Sequence, residues 1–586
     1  MKIKKIVINN FRAFMHAEID FADFNCIIGK NDTGKSTILA ALEWFFNPNK
    51  ELKENDFSAA SFDWYEHENP AYYDEITGET YQGECIKEFI YDDLYISVDV
   101  YFNDINIPNN TEESEFIFGK DFLSKDGDIC IRKWMCHPYK DLYYPYVEKQ
   151  VGYCVNKHYF EKVGKILSDC TFDELMSLYN GIGKNADELC KDLHQFEKEC
   201  KRKKRGLAFS AMKAKIRTEQ VKIKEQICLE LHNYYDSIGE KLCDEQWMDF
   251  ENIDQIESRL GLAFPKYVLY TSKTPIKDYL NLLLTPNNAS NVYKSIEEAK
   301  VCLTNKLSDY LCLDGTNEKL GIKKDEKIDL FTQNSLVFKN NDLPLRIPLK
   351  NRGEGLQLKI KNAVFRLLTE LQSKNQINTI LAFEEPETHL HPSAQLEMYE
   401  TIKALSENPD YQVIITTHSP FIVKELANDP NKRIIIVKRE GGSNESTICK
   451  LKEKVLPYLS MNEVNYIAFD EPSIEYHIEL FGIMQQKLNT SIAGVDKWLS
   501  NNKFAGKVFN YYAVDSKKGC LVSMKNGKYR QDLMTLPYCV RNQVDHPHDY
   551  NIQYGSRKMI EESIEIMRNA IISNPTLFKN KKGDSD

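Results

Sequence analysis

Apolar positions recur with two periods along this chain, and the places where the period changes divide it. Lys2 to Asn9 alternates in the manner of a strand, Phe24 to Ile28 is a short apolar strand, and Lys35 to Phe46 carries the spacing of a helix. Tyr95 to Phe102 alternates again, as a strand exposed on one face. From about Asp104 the pattern turns mainly helical, with aromatic-rich connections, and stays so to about Leu330. Strand and helix then alternate: Thr379 to Phe383, a helix from Ser393 to Ser406, Gln412 to Thr416, a helix from Pro420 to Leu426, and Arg433 to Lys438. Short apolar strands separated by helices predict a mainly parallel sheet covered on both faces, so the two ends of this region complete one sheet across an insertion. The divisions expected are residues 1–103 and 335–440 as two lobes of one head, 104–334 as a mainly helical insertion, and 441–586 as a linker and helical domain. The polar tail from Lys579 to Asp586 reads as frayed.

Composition narrows the classes. A chain of 586 residues exceeds a single core, and its apolar and charged fractions are those of a globular protein. No apolar run approaches the ~18–20 residues that cross a bilayer, and the first residues lack the apolar core of a signal peptide, so the expectation is a cytoplasmic protein. Fifteen cysteines without paired spacing read as reduced, packed thiols. Cys130, Cys136 and His137, or Cys154 with His158, have no second half-site at zinc-finger spacing. The formal charge of −11 confines any nucleic-acid contact to a local patch. One such patch is Lys201-Arg202-Lys203-Lys204-Arg205, in a charge-rich helical stretch that reads equally as a solvated arm or as a contact to RNA or DNA.

The candidate chemistry begins at Gly29-Lys30-Asn31-Asp32-Thr33-Gly34-Lys35-Ser36-Thr37, between an apolar strand and a helix. Glycines let a backbone wrap phosphate, amides at a helix N-terminus face the anion, Lys35 neutralises the β- and γ-phosphates, and the Ser36 hydroxyl is offered to Mg²⁺. Far along the chain, the strand Ile380-Leu381-Ala382-Phe383 runs into Glu384-Glu385-Pro386-Glu387. Carboxylates at that end of a parallel strand lie beside a phosphate loop. Glu384 is assigned to the metal and Glu385 to the attacking water. His418 ends the neighbouring strand, within reach of the γ-phosphate; the alternative for a lone histidine there is a structural role.

Taken in chain order, Asn10-Phe11-Arg12, the loop Gly29 to Thr37, Glu384 to Pro392 and Thr417-His418-Ser419 resemble the RecF-, SMC- and OLD-like ATPases of bacteria. Arg352-Gly353-Glu354-Gly355-Leu356-Gln357 is similar to the signature motif of that family, but Glu354 stands where a small hydroxyl residue is usual. The resemblance implies that Arg12 belongs to the nucleotide site and that Gly353, Gly355 and Gln357 contact ATP held by a second protomer, closing a head-to-head dimer. It makes His389 and His391 part of the loop after the catalytic strand, and it is silent on the insertion.

Many OLD-like chains continue into a TOPRIM nuclease, which needs a strand-borne Glu followed by Gly and a later Asp-x-Asp pair. Phe469-Asp470-Glu471-Pro472 and the lone Asp515 do not fit that pattern. The chain continues instead into a helix with Ile474, Ile478, Phe481 and Leu488 on one side, and later a closing helix with Ile560, Ile564, Met567 and Ile571. Between them stands Leu536-Pro537-Tyr538-Cys539-Val540-Arg541-Asn542-Gln543-Val544-Asp545-His546-Pro547. This region resembles a HEPN domain, a helical bundle marked in ribonucleases by Arg, four to six residues, then His. Arg132 to His137 repeats that spacing without the context, so spacing alone proves little, and a non-catalytic dimerisation bundle stays open. His548 also satisfies the spacing. An imidazole can move the 2′-hydroxyl proton while a guanidinium faces the phosphorane charge.

The fold class expected is thus an α/β ABC-type P-loop ATPase head with a mainly helical insertion, followed by an all-α HEPN-like bundle. ATP and Mg²⁺ are the expected cofactors. The resemblance implies a homo-oligomer in which the ATPase gates cleavage of RNA at Arg541, Asn542 and His546, in a defence, abortive-infection or toxin system with room for a regulatory partner protein. The alternative is an ATP-driven DNA-binding or repair clamp whose C-terminal bundle only scaffolds.

Overall fold

In a computed structural model of the chain, the long described stretches are residues 1–53, 95–107, 116–136, 151–202, 207–271, 378–388, 392–427, 432–439, 445–507, 532–545 and 556–578, with shorter segments, mostly strands, between them. In chain order the elements that frame the head are β1 (Lys2–Phe11), β2 (Phe14–Asp20), β3 (Phe24–Ile28), α1 (Lys35–Phe46), β4 (Tyr95–Asn103), β5 (Ile129–Cys136) and β6 (Val151–Phe160). The next part supplies α2 (Phe172–Gly181), α3 (Lys191–Arg202), α4 (Leu207–Ser237), β7 (Leu242–Phe250) and β8 (Lys266–Tyr270). After it come β9 (Thr379–Glu384), α5 (Pro392–Ser406), β10 (Tyr411–Thr417), α6 (Pro420–Leu426), β11 (Lys432–Arg439) and β12 (Ser446–Cys449). The C-terminal helices are α7 (Met461–Phe469), α8 (Ile474–Lys487), α9 (Ile492–Asn501), α10 (Leu536–Asp545) and α11 (Arg557–Ile572).

Two six-stranded sheets sandwich α1. One has the order β7-β6-β5-β4-β1-β2 and is antiparallel throughout. The other, β8-β9-β10-β3-β11-β12, is parallel except for its last pair. All five residues of β3 are buried, as the continuous apolar run Phe24-Asn25-Cys26-Ile27-Ile28 requires of a central strand. Ile38, Leu39, Leu42 and Phe45 of α1 meet Ile6, Ile8, Val98 and Val100 of the antiparallel sheet on one side, and Ile27, Ile380 and Ile414 of the parallel sheet on the other. A helix enclosed on both sides must be apolar nearly all round. Gln412 ties the sheets by accepting from the Ile3 amide at 2.9 Å and donating to the Ile3 carbonyl at 2.7 Å. The C-terminal end of α1 is held from across the sandwich: the Lys133 ammonium donates to the carbonyls of Trp44 and Asn47, and the Tyr153 hydroxyl to that of Phe45. Burial pulls Lys133 down to about 7.

The span 104–334 departs from the expected mainly helical insertion. Strands β5, β6 and β7 complete the antiparallel sheet and β8 joins the parallel one, so among the described residues the span is a mixture of sheet strands and helices, the longest of which are α3 and α4. The period-2 signal is hidden in β5 because its core-facing side includes Lys133, held by carbonyls rather than by water. Helices α2 to α4 have a core of their own around Leu175, Tyr179, Leu193, Ile227 and Leu231.

The C-terminal region does not stand apart. Its apolar side chains Val464, Tyr476, Leu480, Leu499, Val540, Ile564 and Met567 are continuous with Cys26, Leu381, Val413 and Ile415 on the outer face of the parallel sheet. The region is not wholly helical either: short strands lie at Phe509–Tyr511, Val514–Asp515, Cys520–Leu521 and Asp532–Met534. Ile478, grouped by spacing with Ile474, Phe481 and Leu488, is 42% exposed, because α8 buries Tyr476, His477, Leu480, Phe481 and Met484 instead. No helix among the described residues is long and apolar enough to cross a membrane.

Candidate active site

The glycine-bearing loop expected to bind phosphate is the turn between β3 and α1. Gly34 caps α1 in the left-handed region (φ 96°), and a side chain there would also press on Ala13. A Cβ at Gly29 would lie 2.4 Å from the Val437 carbonyl oxygen and 2.6 Å from Thr33 Oγ1, so β11 fixes the back of the loop and only glycine fits. Within the loop, the Thr33 hydroxyl and the Lys35 ammonium both donate to the Lys30 carbonyl at 2.9 Å. Burial lowers the pKa of Lys35, opposed by Glu385, Glu387 and Glu384. Asn31 and Ser36 are exposed at the mouth of the loop, while Thr37 is buried and its amide donates to the Gly34 carbonyl at 3.1 Å. This glycine cradle, opened toward a helix N-terminus with a lysine inside it, fits the triphosphate of a nucleotide, and Ser36 with Glu384 provides the hard oxygen donors that suit Mg²⁺.

Parallel pairing of β9 with β10, and of β10 with β3, brings Glu384, Thr416, Thr417 and Ile28 to one end of the sheet. At that edge Glu385 takes a left-handed conformation (φ 43°), its amide donating to the Thr416 carbonyl and hydroxyl, each at 3.1 Å. Its carboxylate lies 3.1 Å from His418 Nε2. That contact holds Glu385 below the ordinary carboxylate range, against the opposing effect of burial, and the Lys35 charge helps. A carboxylate kept ionised beside an imidazole and an ammonium can orient water and accept a proton.

Glu387 is the residue that motif reading left without a role. It is 6% exposed and accepts from the Thr417 hydroxyl at 2.7 Å and from the His418 amide at 2.8 Å, fixing the turn that carries His418. Burial raises its pKa, opposed by those two bonds. The only signal in the sequence is its place three residues after Glu384.

Arg12, also in a left-handed conformation (φ 49°), points to Asp56, with Nε donating to Oδ1 at 2.7 Å and its amide to the Asp56 carbonyl at 2.8 Å. Its neighbour Ala13 is the residue that abuts Gly34. Gly353, Gly355 and Gln357 lie outside the described residues, as do His389 and His391.

In the C-terminal helices, Arg541 and Asn542 are adjacent on α10, and Arg541 Nη1 donates to Asn542 Oδ1 at 3.1 Å. Asn542 is buried. His546 and His548 lie outside the described residues. Packed close by is His477 of α8, fully buried and stacked on Phe481. Burial pushes it down to about 3, and the Arg541 charge acts in the same direction.

One link joins the two regions. Lys30 of the loop lies 3.6 Å from Glu471, which pairs through its other oxygen with Arg557 at the start of α11 (2.8 Å). Glu471 is presented there by Asp470, left-handed at φ 53° and salt-bridged to Lys438 of β11 and to Lys452. The Phe469-Asp470-Glu471-Pro472 stretch, which does not fit a TOPRIM site, forms this contact.

Residues 1–423 match the AAA ATPase domain family. The chain is 30% identical over 150 residues to the Old nuclease of Escherichia phage P2, a match spanning 24% of this chain and 25% of the relative. It is 23% identical over 488 residues to the endonuclease GajA of Bacillus cereus, spanning 74% of this chain and 60% of GajA. Among solved structures, the SMC head domain from Thermotoga maritima is 12% identical with a TM-score of 0.33, covering 77% of this chain and 100% of that one. The matched stretches thus cover a quarter of the Old nuclease and three-fifths of GajA. By a family match that takes in the whole Gly29–Thr37 loop, the strand-end carboxylates and His418, this chain belongs to the AAA ATPase domain family.

Proposed function

We propose that the chain is a nucleotide-gated ribonuclease effector of a bacterial antiphage, abortive-infection or toxin-type system, in which the ATPase head controls a metal-independent site at Arg541, Asn542 and His546. In the head, the loop amides and Lys35 bind the phosphates, Ser36 and Glu384 hold Mg²⁺, Glu385 orients and deprotonates the attacking water, and His418 senses the γ-phosphate. Mg²⁺ supplies charge neutralisation at the transferring phosphate. Arg12 and, from a second protomer, Gly353, Gly355 and Gln357 complete the nucleotide site in a dimer.

The observation that carries the gating is the Lys30–Glu471–Arg557 chain of charges. A residue of the phosphate loop is bonded to the elbow before α8 and, through it, to the first turn of α11, and these helices share an apolar core with α10. Nucleotide that draws Lys30 toward its phosphates changes what Glu471 and Arg557 pair with. Relatives named as nucleases support a nuclease partnered with this kind of head.

A second reading has its own support. Asn542 is 6% exposed and its Oδ1 accepts from Arg541, as in a packed scaffold, which favours an ATP-driven DNA-binding or repair clamp with a non-catalytic bundle. Incubation of the purified chain with single-stranded RNA in EDTA, with and without ATP supplied beforehand, separates the two. Cleavage that leaves a 2′,3′-cyclic phosphate and is lost in Arg541→Ala and His546→Ala, with ATP turnover within about threefold of wild type, is the expected result; the ~10²–10⁴-fold worth of acid–base groups makes the loss easy to read. RNA left intact by the wild type, or cut equally by both variants, sinks the ribonuclease reading in favour of the clamp.

A further inference from the structure

The wall behind the Gly29–Thr37 loop comes from beyond the span that matches the ATPase family. That match ends at residue 423, whereas β11 begins at Lys432. β11 runs parallel to β3 with Ile436 beside Ile28, so Val437, Lys438 and Arg439 continue past the point where β3 gives way to the loop. The approach is close: a Cβ on Gly29 would meet the Val437 carbonyl oxygen at 2.4 Å. Farther round the loop, Arg439 Nη1 lies 3.5 Å from both the carbonyl and the carboxylate of Asp32, a residue in the left-handed region at φ 63°. One strand end thus shapes the loop at its first glycine and at its left-handed turn, the two places that decide where its amides face.

Lys438, between those two contact residues, ties the strand end down. Its ammonium is paired with Asp470, which also takes Lys452 at 3.1 Å. The backbone of Asp470 is fixed by a helix end: it caps α7 at φ 53°, and its amide and that of Glu471 both donate to the Asn465 carbonyl. Helix α7 is in turn rooted through Val464, Tyr466 and Ile467 in the apolar core on the outer face of the parallel sheet. Burial works against the Asp470 charge, but the bonds from Lys438 and Lys452 outweigh it and hold its pKa below the usual carboxylate range. Lys452 stands 4.3 Å over the Tyr466 ring of α7 and so belongs to the C-terminal side, whereas Lys438 leads to the loop.

We propose that Asp470 is a positioning residue of the ATPase, holding the end of β11 through Lys438 so that Val437 and Arg439 keep the Gly29–Thr37 loop in the shape that receives the phosphates of the nucleotide. This role rests on the reading of that loop as the nucleotide site and is independent of the ribonuclease reading. It is also distinct from the Lys30–Glu471 link, which grips a side chain of the loop, because Asp470 acts on the wall against which the loop backbone lies. The contribution is to binding rather than to the chemical step, since Glu385 and His418 follow β9 and β10 and do not depend on β11 for their place.

Steady-state ATP turnover of the full chain, measured over a range of ATP concentrations, tests this role. Asp470→Asn tolerates the left-handed backbone but leaves Lys438 and Lys452 facing each other without an anion. It should raise KM for ATP by about three- to tenfold, the worth of a partly buried ion pair and the repulsion left behind, with kcat within about twofold of wild type. Lys438→Gln should raise KM by a similar factor, and the double variant should be no worse than the worse single, as two residues that share one interaction require. Lys452→Gln removes the other partner of Asp470 without touching β11 and should leave KM within about 1.5-fold of wild type. Arg439→Gln should also raise KM, and it carries the test if loss of the α7 cap charge keeps Asp470→Asn from folding, as thermal unfolding reports. Lys35→Ala in the same assay tests the loop itself: a wild-type KM there removes the loop reading and the role of Asp470 with it. Loss of binding in Lys35→Ala beside a wild-type KM in folded Asp470→Asn removes the role of Asp470 alone. That role is also overturned if the effects of Asp470→Asn and Lys438→Gln multiply in the double variant, if Lys452→Gln raises KM as much, or if kcat falls while KM stays unchanged.

Discussion

Removing the Glu387 side chain tests whether the turn that carries His418 is held from beneath by a buried carboxylate. In Glu387→Ala the Thr417 hydroxyl and the His418 amide, now 2.7 and 2.8 Å from Glu387 Oε1, both lose their acceptor in a site that water barely reaches. Each buried donor left unpaired costs about 1–3 kcal/mol, so the turn loses about 2–6 kcal/mol of local support and is expected to rearrange. A displacement near 1 Å of a positioned group costs about 10²-fold in rate, so ATP turnover should fall by about 10- to 100-fold with nucleotide affinity nearly unchanged. Glu387→Gln keeps an sp² oxygen for both donors and should stay within about threefold of wild type. The two variants also separate by pH. Because burial raises the Glu387 pKa, the folded wild type holds this proton more tightly than the unfolded chain, and its stability falls as pH rises from the unfolded carboxylate value near 4.3 through the folded one. The glutamine does not titrate, so its stability relative to wild type should increase across that window. Urea unfolding at several pH values and steady-state phosphate release measure both. Wild-type turnover in Glu387→Ala, or equal loss in the Ala and Gln variants, would refute the positioning role.

Lys35→Ala should abolish nucleotide binding in a filter or fluorescence assay, whereas Glu385→Gln should bind normally and lose about 10²–10⁴ in hydrolysis; normal hydrolysis by both would overturn the assignment. In Glu385→Gln, ATP should also drive a head-to-head dimer visible by sedimentation, and a monomer at saturating ATP would count against Gly353, Gly355 and Gln357 as the second half of the site. His477 is held neutral in the fold at about 3 against about 6.5 unfolded. The unfolded chain therefore gains a proton that the folded one refuses, and stability is lost as pH falls between those values, about 2 kcal/mol from pH 7 to pH 5. His477→Phe, which preserves the stack on Phe481, should lose that much less over the same interval; parallel loss in the two proteins would show that His477 is not responsible.

The strands and helices around the nucleotide site were legible because their signals are local. Phe24 to Ile28, Lys35 to Phe46 and Pro420 to Leu426 are found where the apolar period puts them, since a buried parallel strand must be continuously apolar and a helix that opens on Gly34-Lys35 is punctuated by its own glycine. The phosphate loop and the strand-end carboxylates were legible for the same reason: nine consecutive residues in one case, and four in the other, carry the whole chemical pattern. Helix α8 shows the limit of periodicity. Spacing places Ile478 with the apolar side, but burial follows the neighbours that tertiary structure supplies, and these cover His477 instead.

Only the three-dimensional fold decided which distant pieces share a surface. Nothing local to Ile129–Cys136, Val151–Phe160 or Leu242–Phe250 says that they extend the sheet begun by Lys2–Phe11, because an antiparallel pairing is specified by its partners and a lysine such as Lys133 can face the core when carbonyls receive it. Glu387 reads as the third acid of the stretch Glu384-Glu385-Pro386-Glu387 until β10 places Thr417 and His418 against it. Glu471 reads as a failed nuclease motif until the C-terminal helices, packed on the outer face of the parallel sheet, bring it to Lys30 although most of the chain separates the two. Sequence by itself determined the chemistry that fits within one turn of backbone; contacts between residues hundreds of positions apart depend on loop closure and packing that no local window contains.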